Sequence, residues 1–163
     1  MLRSDLLEFM RAHGMPIVSN DPSHRLRIAV VDDERSVVRA LLRMLARAAP
    51  GADCRSAHDG FSAGALLTSF HPDLVFLDII MPGLSGVDVC EHIRSKPELY
   101  GTRVVIVTGH LTAALRAQLE TVGADGFIEK PFSFGEIQST VADLTARRPG
   151  SEAPRPLHGA STA

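Results

Sequence analysis

The sequence has no tryptophan and one tyrosine, and its aromatic share is five per cent, so any core must be packed from aliphatic side chains. Cysteine is equally scarce. Cys54 and Cys90 stand far apart without metal-ligand spacing, which argues against a disulfide scaffold or a zinc site and fits two reduced thiols. Long hydrophobic runs are missing too. Arg3, Asp5, Glu8 and Arg11 interrupt the first 25 residues, against a signal peptide, and nothing elsewhere approaches the roughly 20 apolar residues that span a bilayer. Neither sign of charge dominates. Seventeen Lys and Arg face 19 Asp and Glu, and a net charge of −2 gives no global basic surface for nucleic acid or membrane. No glycine-rich phosphate loop follows any apolar run, which excludes a nucleotide-binding reading, and no internal repeat is visible. A soluble, cytoplasmic chain is expected.

Within 163 residues there is room for one α/β domain of roughly 120 residues with short extensions. Three zones are expected: an N-terminal helix and polar linker over residues 1–24, a domain over 25–147, and a disordered tail over 148–163. The tail carries Pro149, Pro154 and Pro156 and too few apolar residues to offset the entropy of ordering. The middle zone alternates apolar runs with amphipathic stretches. Runs at Leu26–Val31, Leu74–Leu77, Val104–Val107 and Gly126–Glu129, with a weaker one at Ala52–Ala57, predict five strands. Helices are expected from Ser36 to Ala49, Phe61 to Phe70 and Val87 to Ser95. Two more carry the stripes Leu111, Leu115, Leu119, Val122 and Ile137, Val141, Leu144. Strands alternating with helices of this length imply right-handed βα units, hence a doubly wound, five-stranded parallel sheet with helices on both faces.

Ligands of open parallel sheets collect at the carboxyl ends of the strands. Here the first run ends in Asp32-Asp33-Glu34, the third in Asp78, the fourth in Thr108 and the fifth in Lys130-Pro131. Taken singly, each has an ordinary explanation: an Asp after a strand caps a turn, a Thr ends a strand, a Lys is solvated. Taken together they place carboxylates, a hydroxyl and an ammonium on one rim. Clustered carboxylates repel one another unless a divalent cation neutralises them, and an all-oxygen site suits magnesium. A metal so held leaves a carboxylate oxygen available as nucleophile toward a phosphoryl group.

The strings VVDDE, LVFLDIIMPGLSG, VIVTGH and FIEKPF, in this order and at these spacings, resemble the receiver domain of two-component response regulators, over about three quarters of the chain from Arg27 to Leu144. The resemblance implies a flavodoxin-like fold with Asp78 as phosphoacceptor, and a histidine kinase or histidine phosphotransfer protein as donor. It implies magnesium held directly by Asp33, through water by Asp32, and by Asp78 and the Ile80 backbone carbonyl. It implies that Lys130 pairs with Asp78 and then with the phosphoryl group. Thr108 would bond a phosphoryl oxygen, Phe127 would be the aromatic switch, and the Lys130-Pro131 bond would be cis. The surface of the fourth helix, fifth strand and fifth helix would change on phosphorylation. Pro82, Gly83 and Gly86 would shape the loop after the acceptor. Ile80 and His110, each two residues past a key group, are candidates for tuning the phosphate lifetime. His58, His71 and His92 fit no site pattern.

A haloacid-dehalogenase-type phosphatase also uses an aspartyl nucleophile, but needs an acid-base Asp where this chain has Ile80. A degenerate receiver would lack some of the five site residues. The expected role is therefore a signalling switch, enzymatic only toward its own phosphoryl group. No effector domain is seen after residue 147. Residues 4–17, with the string DLLEFMRAHGMPI, resemble the closing helix of an excisionase-type helix-turn-helix domain. So short a piece is not expected to bind DNA by itself. Leu2, Leu6, Leu7 and Met10 would leave an apolar stripe on a helix too short to stand alone, so two alternatives are expected with equal weight: residues 1–18 pack on a partner subunit and make a homodimer, or they are a remnant of a domain lying upstream.

Overall fold

The computed structural model describes residues 24–146, and the expectations for residues 1–18 and for the tail 148–163 lie outside the described residues. The chain runs β1 (Arg27–Val31), α1 (Arg35–Ala48), β2 (Asp53–Ala57), α2 (Gly60–Phe70), β3 (Leu74–Leu77), α3 (Gly86–Ser95), a 3-10 turn (Pro97–Leu99), β4 (Arg103–Thr108), α4 (Ala113–Thr121), β5 (Gly126–Glu129) and α5 (Phe134–Ala146). The five strands form one sheet in the order β2-β1-β3-β4-β5, every neighbouring pair parallel. The doubly wound expectation holds.

The unbroken apolar runs are explained by burial on both faces of the sheet. Ile28, Val30, Leu74, Phe76, Val105 and Val107 pack with Leu41 and Leu45 of α1 and Ile137 and Val141 of α5. The alternate residues Ala29, Val31, Val75, Leu77, Val104 and Ile106 pack with Leu67 of α2, Ile93 of α3 and Leu119 of α4. Successive side chains of a strand point to opposite faces, so a central strand covered twice has no polar position left. At the edge strand β2 only Ala57 is fully buried, which is why its pattern in the sequence is faint. Cys54 and Cys90 are free thiols, each with its pKa raised chiefly by burial.

The helix starts expected at Ser36, Phe61 and Val87 fall one residue early, at Arg35, Gly60 and Gly86. The expected stripe on the fourth helix needs a larger correction. Thr112 caps α4 by accepting from the Leu115 amide, so Leu111 precedes the helix and Val122 lies past its last residue. Both still pack against the core, and apolarity rather than helicity produced the spacing. Among the described residues no helix is long and apolar enough to cross a membrane.

Candidate functional site at the carboxyl ends of the strands

The backbone ladder continues one residue beyond the strands and thereby fixes the site. The Asp78 amide donates to Val31 O at 2.9 Å, the Asp32 amide to Ala57 O at 3.2 Å, and the Lys130 amide to Thr108 O at 2.8 Å. The side chains that follow have nowhere to go but the rim. Asp32, Asp78 and Thr108 are buried there, whereas Asp33 is exposed.

One carboxylate oxygen from each of Asp32, Asp33 and Asp78 lies within 4.8 Å of the others, as a shared cation requires. Lys130 Nζ lies 2.8 Å from Asp32 Oδ2 and 3.5 Å from both Asp78 Oδ2 and Glu34 Oε1. The expected pairing of Lys130 with Asp78 is thus present but is the longer contact, because the ammonium settles where three carboxylates can share it. Three aspartates against one ammonium leave a formal excess of two negative charges, before Glu34 is counted. Asp32 Oδ1 accepts from the Glu34 amide, while buried Asp32 Oδ2, despite its ion pair, has no donor in hydrogen-bond geometry among the described residues. An all-oxygen set of three aspartates with a surplus charge of two fits a hard divalent cation such as magnesium.

The electrostatics agree. Burial pushes the Asp78 carboxyl up, the Ile80 amide donating to Oδ1 at 3.2 Å pulls it down, and the Asp32 charge pushes it up again, for a net rise. Burial works to lower Lys130, but the contact with Asp32 and the charges of Asp32, Asp78 and Glu34 outweigh it, so its pKa rises and it stays an ammonium.

The loop after the acceptor is held tightly. Gly83 has φ of 84°, a conformation costly for other residues. Ser85 caps α3 in a reciprocal capping box with Asp88. The Gly86 amide donates to Ile79 O at 2.9 Å, and a Cβ at Gly86 would stand 2.7 Å from Asp78 O. The side chain of Ile80 is 72% exposed, so an apolar residue stands in solvent beside the acceptor.

The Thr108 hydroxyl is fully buried and among the described residues makes only long contacts, 3.4 and 3.5 Å, with the His110 amide and carbonyl, so it is weakly committed. His110 itself is exposed and meets Thr108 through its backbone. Phe127 is half-buried against the helical layer, with the Arg116 guanidinium 4.7 Å above its ring. Lys130-Pro131 is cis, as the resemblance implied.

Two neighbours of the site were not singled out by spacing. Glu34 supplies the third carboxylate around Lys130, a role its place in the acidic run hints at. His58 Nδ1 lies 3.1 Å from Asp32 O, and since a carbonyl only accepts, this nitrogen donates. Nothing in the sequence signals that contact across 26 residues. His71 takes the left-handed position that ends α2, and the buried Nε2 of His92 on α3 has no hydrogen-bond partner among the described residues.

Comparison with known proteins places this geometry. The family model for the response regulator receiver domain matches residues 28–142. The response regulator MprA of Mycobacterium avium is 34% identical over 122 residues, which cover 75% of this chain and 52% of MprA. Protein PilG of Pseudomonas aeruginosa is 31% identical over 119 residues, covering 73% of this chain and 87% of PilG. The chain therefore spans about half the length of the MprA regulators it matches. Among solved structures, the signal receiver domain of a DNA binding response regulator from Colwellia psychrerythraea superposes with a TM-score of 0.71 at 30% identity, over 75% of this chain and 99% of that one. The chemotaxis response regulator CheY4 of Vibrio cholerae, at 23% identity and a TM-score of 0.68 over 74% of this chain and 99% of that one, shares the fold.

Proposed function

The chain belongs to the response regulator receiver domain family of two-component signalling, and from that premise we propose that Asp78 accepts a phosphoryl group from a histidine kinase or histidine phosphotransfer protein in a magnesium-dependent reaction. The observation that carries the reading is the convergence of Asp32, Asp33 and Asp78, with Lys130 paired to Asp32 and Asp78 and a surplus of two negative charges left over. Asp32, Asp33, Asp78 and the Ile80 carbonyl would hold magnesium, which when bound supplies charge neutralisation between acceptor and phosphoryl oxygens.

The protein's own residues account for the rest. An Asp78 oxygen attacks phosphorus in line, a P–O bond forms as the P–N bond to the donor imidazole breaks, and that imidazole leaves with the bonding pair and takes a proton. Burial and the neighbouring Asp32 charge raise the Asp78 carboxyl, so the oxygen is more basic than an exposed one. Lys130 moves its ammonium to a phosphoryl oxygen, and the weakly bonded Thr108 hydroxyl is free to turn to another. The loop after β4 then moves inward, Phe127 follows, and the surface of α4, β5 and α5 changes. The chain is on this reading a switch that turns over only its own phosphoryl group. A phosphatase acting on outside substrates would need an acid-base group where Ile80 presents an apolar, exposed side chain. A homodimer through residues 1–18 is part of the proposal, and equal light-scattering masses for the full chain and a chain beginning at Ser23 would discard it.

The test is chemical. With magnesium and acetyl phosphate the protein should gain one alkali-labile phosphoryl group, Asp78→Asn should gain none, and Asp33→Ala should lose magnesium affinity more than Asp32→Ala. Undiminished labelling of Asp78→Asn would remove the acceptor assignment.

A further inference from the structure

Helix α2 lacks the charged outer face of an ordinary surface helix. Of the five described helices it alone has no charged residue, its sequence being GFSAGALLTSF. Its inner face is spent on the core through Ala63, Leu67 and Phe70. The outer face holds Phe61, which is 91% exposed, together with exposed Ala65, Thr68 and Ser69. Even the two hydroxyls are committed to the helix itself, Thr68 Oγ1 donating to Gly64 O and Ser69 Oγ to Ala65 O, each at 2.9 Å. A helix apolar on both sides is ordinarily covered on both.

Between α2 and α3 that face opens into a groove of about 640 Å³. Gly60, Gly64 and Ala65 leave the α2 side without bulk, and Leu84 and Val89 line the side opposite. The carboxylate of Asp88, also at the groove, is occupied by the Ser85 amide and hydroxyl. The upper end abuts the acceptor loop, since a Cβ at Gly60 would overlap Leu84.

The sequence supplies an occupant. The described chain begins at His24, whose Nε2 lies 3.1 Å from the carboxylate of Asp73, just past the end of α2. Arg27 Nη1 donates to Phe70 O at 3.3 Å, so residues 1–23 join the domain at the foot of the groove. Leu2, Leu6 and Met10 recur every four residues, with Leu7 beside them. On a helix they make a ridge about 12 Å long, against about 14 Å from Gly60 to Ser69. A ridge of large side chains packs into a groove left by small ones. β1 runs from the foot toward the rim, so the chain upstream of His24 heads away from its own groove. Asp21-Pro22 in the connector favours extended backbone over the reversal that coming back would need. The groove of a second copy requires no such reversal.

We propose that residues 2–10 of one copy occupy the α2–α3 groove of its partner, each copy giving a ridge and receiving one. This rests on the homodimer through residues 1–18 and names its seat. Such an exchange is isologous and closes at two copies. It covers the apolar face of α2 and gives a helix too short to persist in water a surface to bury its stripe on.

Light scattering on the full chain should give the mass of two chains, and on the chain beginning at Ser23 the mass of one. Ala65→Glu changes an exposed helix position to another good helix former, and so leaves the domain folded. It puts a charge in the apolar seat and should weaken dimerisation at least about tenfold. Leu6→Asp, outside the described domain, should do the same from the other side of the contact. With a photoreactive benzophenone side chain at position 68, an equal mixture of light and isotopically heavy copies should give adducts to residues 2–10. About half of these should join a light chain to a heavy one, as random pairing of two copies requires. Adducts confined to chains of one isotope would mean that each chain fills its own groove, and would overturn the exchange. A dimer unaffected by either substitution, yet lost on truncation, would overturn the groove as the seat and leave the homodimer through residues 1–18 standing. Equal masses for the full and truncated chains would remove that homodimer and the exchange with it.

Discussion

Gly86→Ala isolates how closely the acceptor is held. A Cβ built at Gly86 stands 2.6 Å from Ile79 Cα, 2.7 Å from Asp78 O and 3.2 Å from Ile79 N. All three are backbone atoms, so no rotamer change relieves the overlap, and α3 must draw back from the end of β3. That strains the 2.9 Å bond from the Gly86 amide to Ile79 O, the link that closes the acceptor loop. In an ordinary helix Gly→Ala gains up to about 1 kcal/mol. Here overpacking costs typically 1–3 kcal/mol, and the loss of a good hydrogen bond about 1 more, so the clash wins. Gly64, inside α2, is the control, since a Cβ there would meet nothing within 4 Å. Gly64→Ala should stabilise by about 0.5–1 kcal/mol. Urea denaturation should therefore separate the variants by roughly 2–4 kcal/mol in opposite directions. Displacement of the acceptor carbonyl should slow labelling by acetyl phosphate at least about tenfold, since misplacement by about 1 Å can cost 10²-fold. An unchanged midpoint together with an unchanged labelling rate in Gly86→Ala would refute the claim that this contact positions Asp78.

Other variants probe the charges. Lys130→Met leaves Asp32 and Asp78 without their cation and should destabilise the metal-free protein by roughly 3–5 kcal/mol, toward the lower end because Lys130 is not fully buried. Added magnesium should recover part of that loss, and identical melting with and without the metal would count against the shared-charge account. Asp78→Asn should be more stable than the unmodified chain at neutral pH in chelator. The Asp78 pKa is raised on folding, so the native state binds the extra proton, and stability falls as pH climbs from the unfolded carboxylate value through the folded one. The advantage of Asn should fade below the ordinary carboxylate range, and an advantage independent of pH would show that the cause lies elsewhere. Thr108→Ala should still accept phosphate from acetyl phosphate but lose most of the change in amide exchange across α4, β5 and α5. The same exchange change with and without the hydroxyl would break the proposed link.

Fold and site were legible wherever a residue's role is set by its place along the strand. Central strands covered on both faces leave no polar position, so Ile28–Val31 and Leu74–Leu77 announce themselves, and the residue that follows each must lie at the rim. That logic found Asp32, Asp78, Thr108 and Lys130 together. It failed where the partner is chosen by distance in space. Lys130 has a flexible stem that lets the field of three carboxylates decide, and the winner is Asp32. Arg94 reads in the sequence as one more solvated charge on an amphipathic helix. In the fold its guanidinium donates to Gly123 O at 2.7 Å, to Thr102 O at 2.8 Å and to Asp125 Oδ2 at 2.9 Å, contacts up to 31 residues away. Asp125 in turn receives the Val104 amide at 2.8 Å and the Arg103 guanidinium. The last turn of α3 is thus bolted to the loop that leads into β5, while its first residue, Gly86, donates its amide to Ile79 O next to the acceptor. One ten-residue helix spans the distance between the acceptor and the strand that carries Phe127 and leads to Lys130.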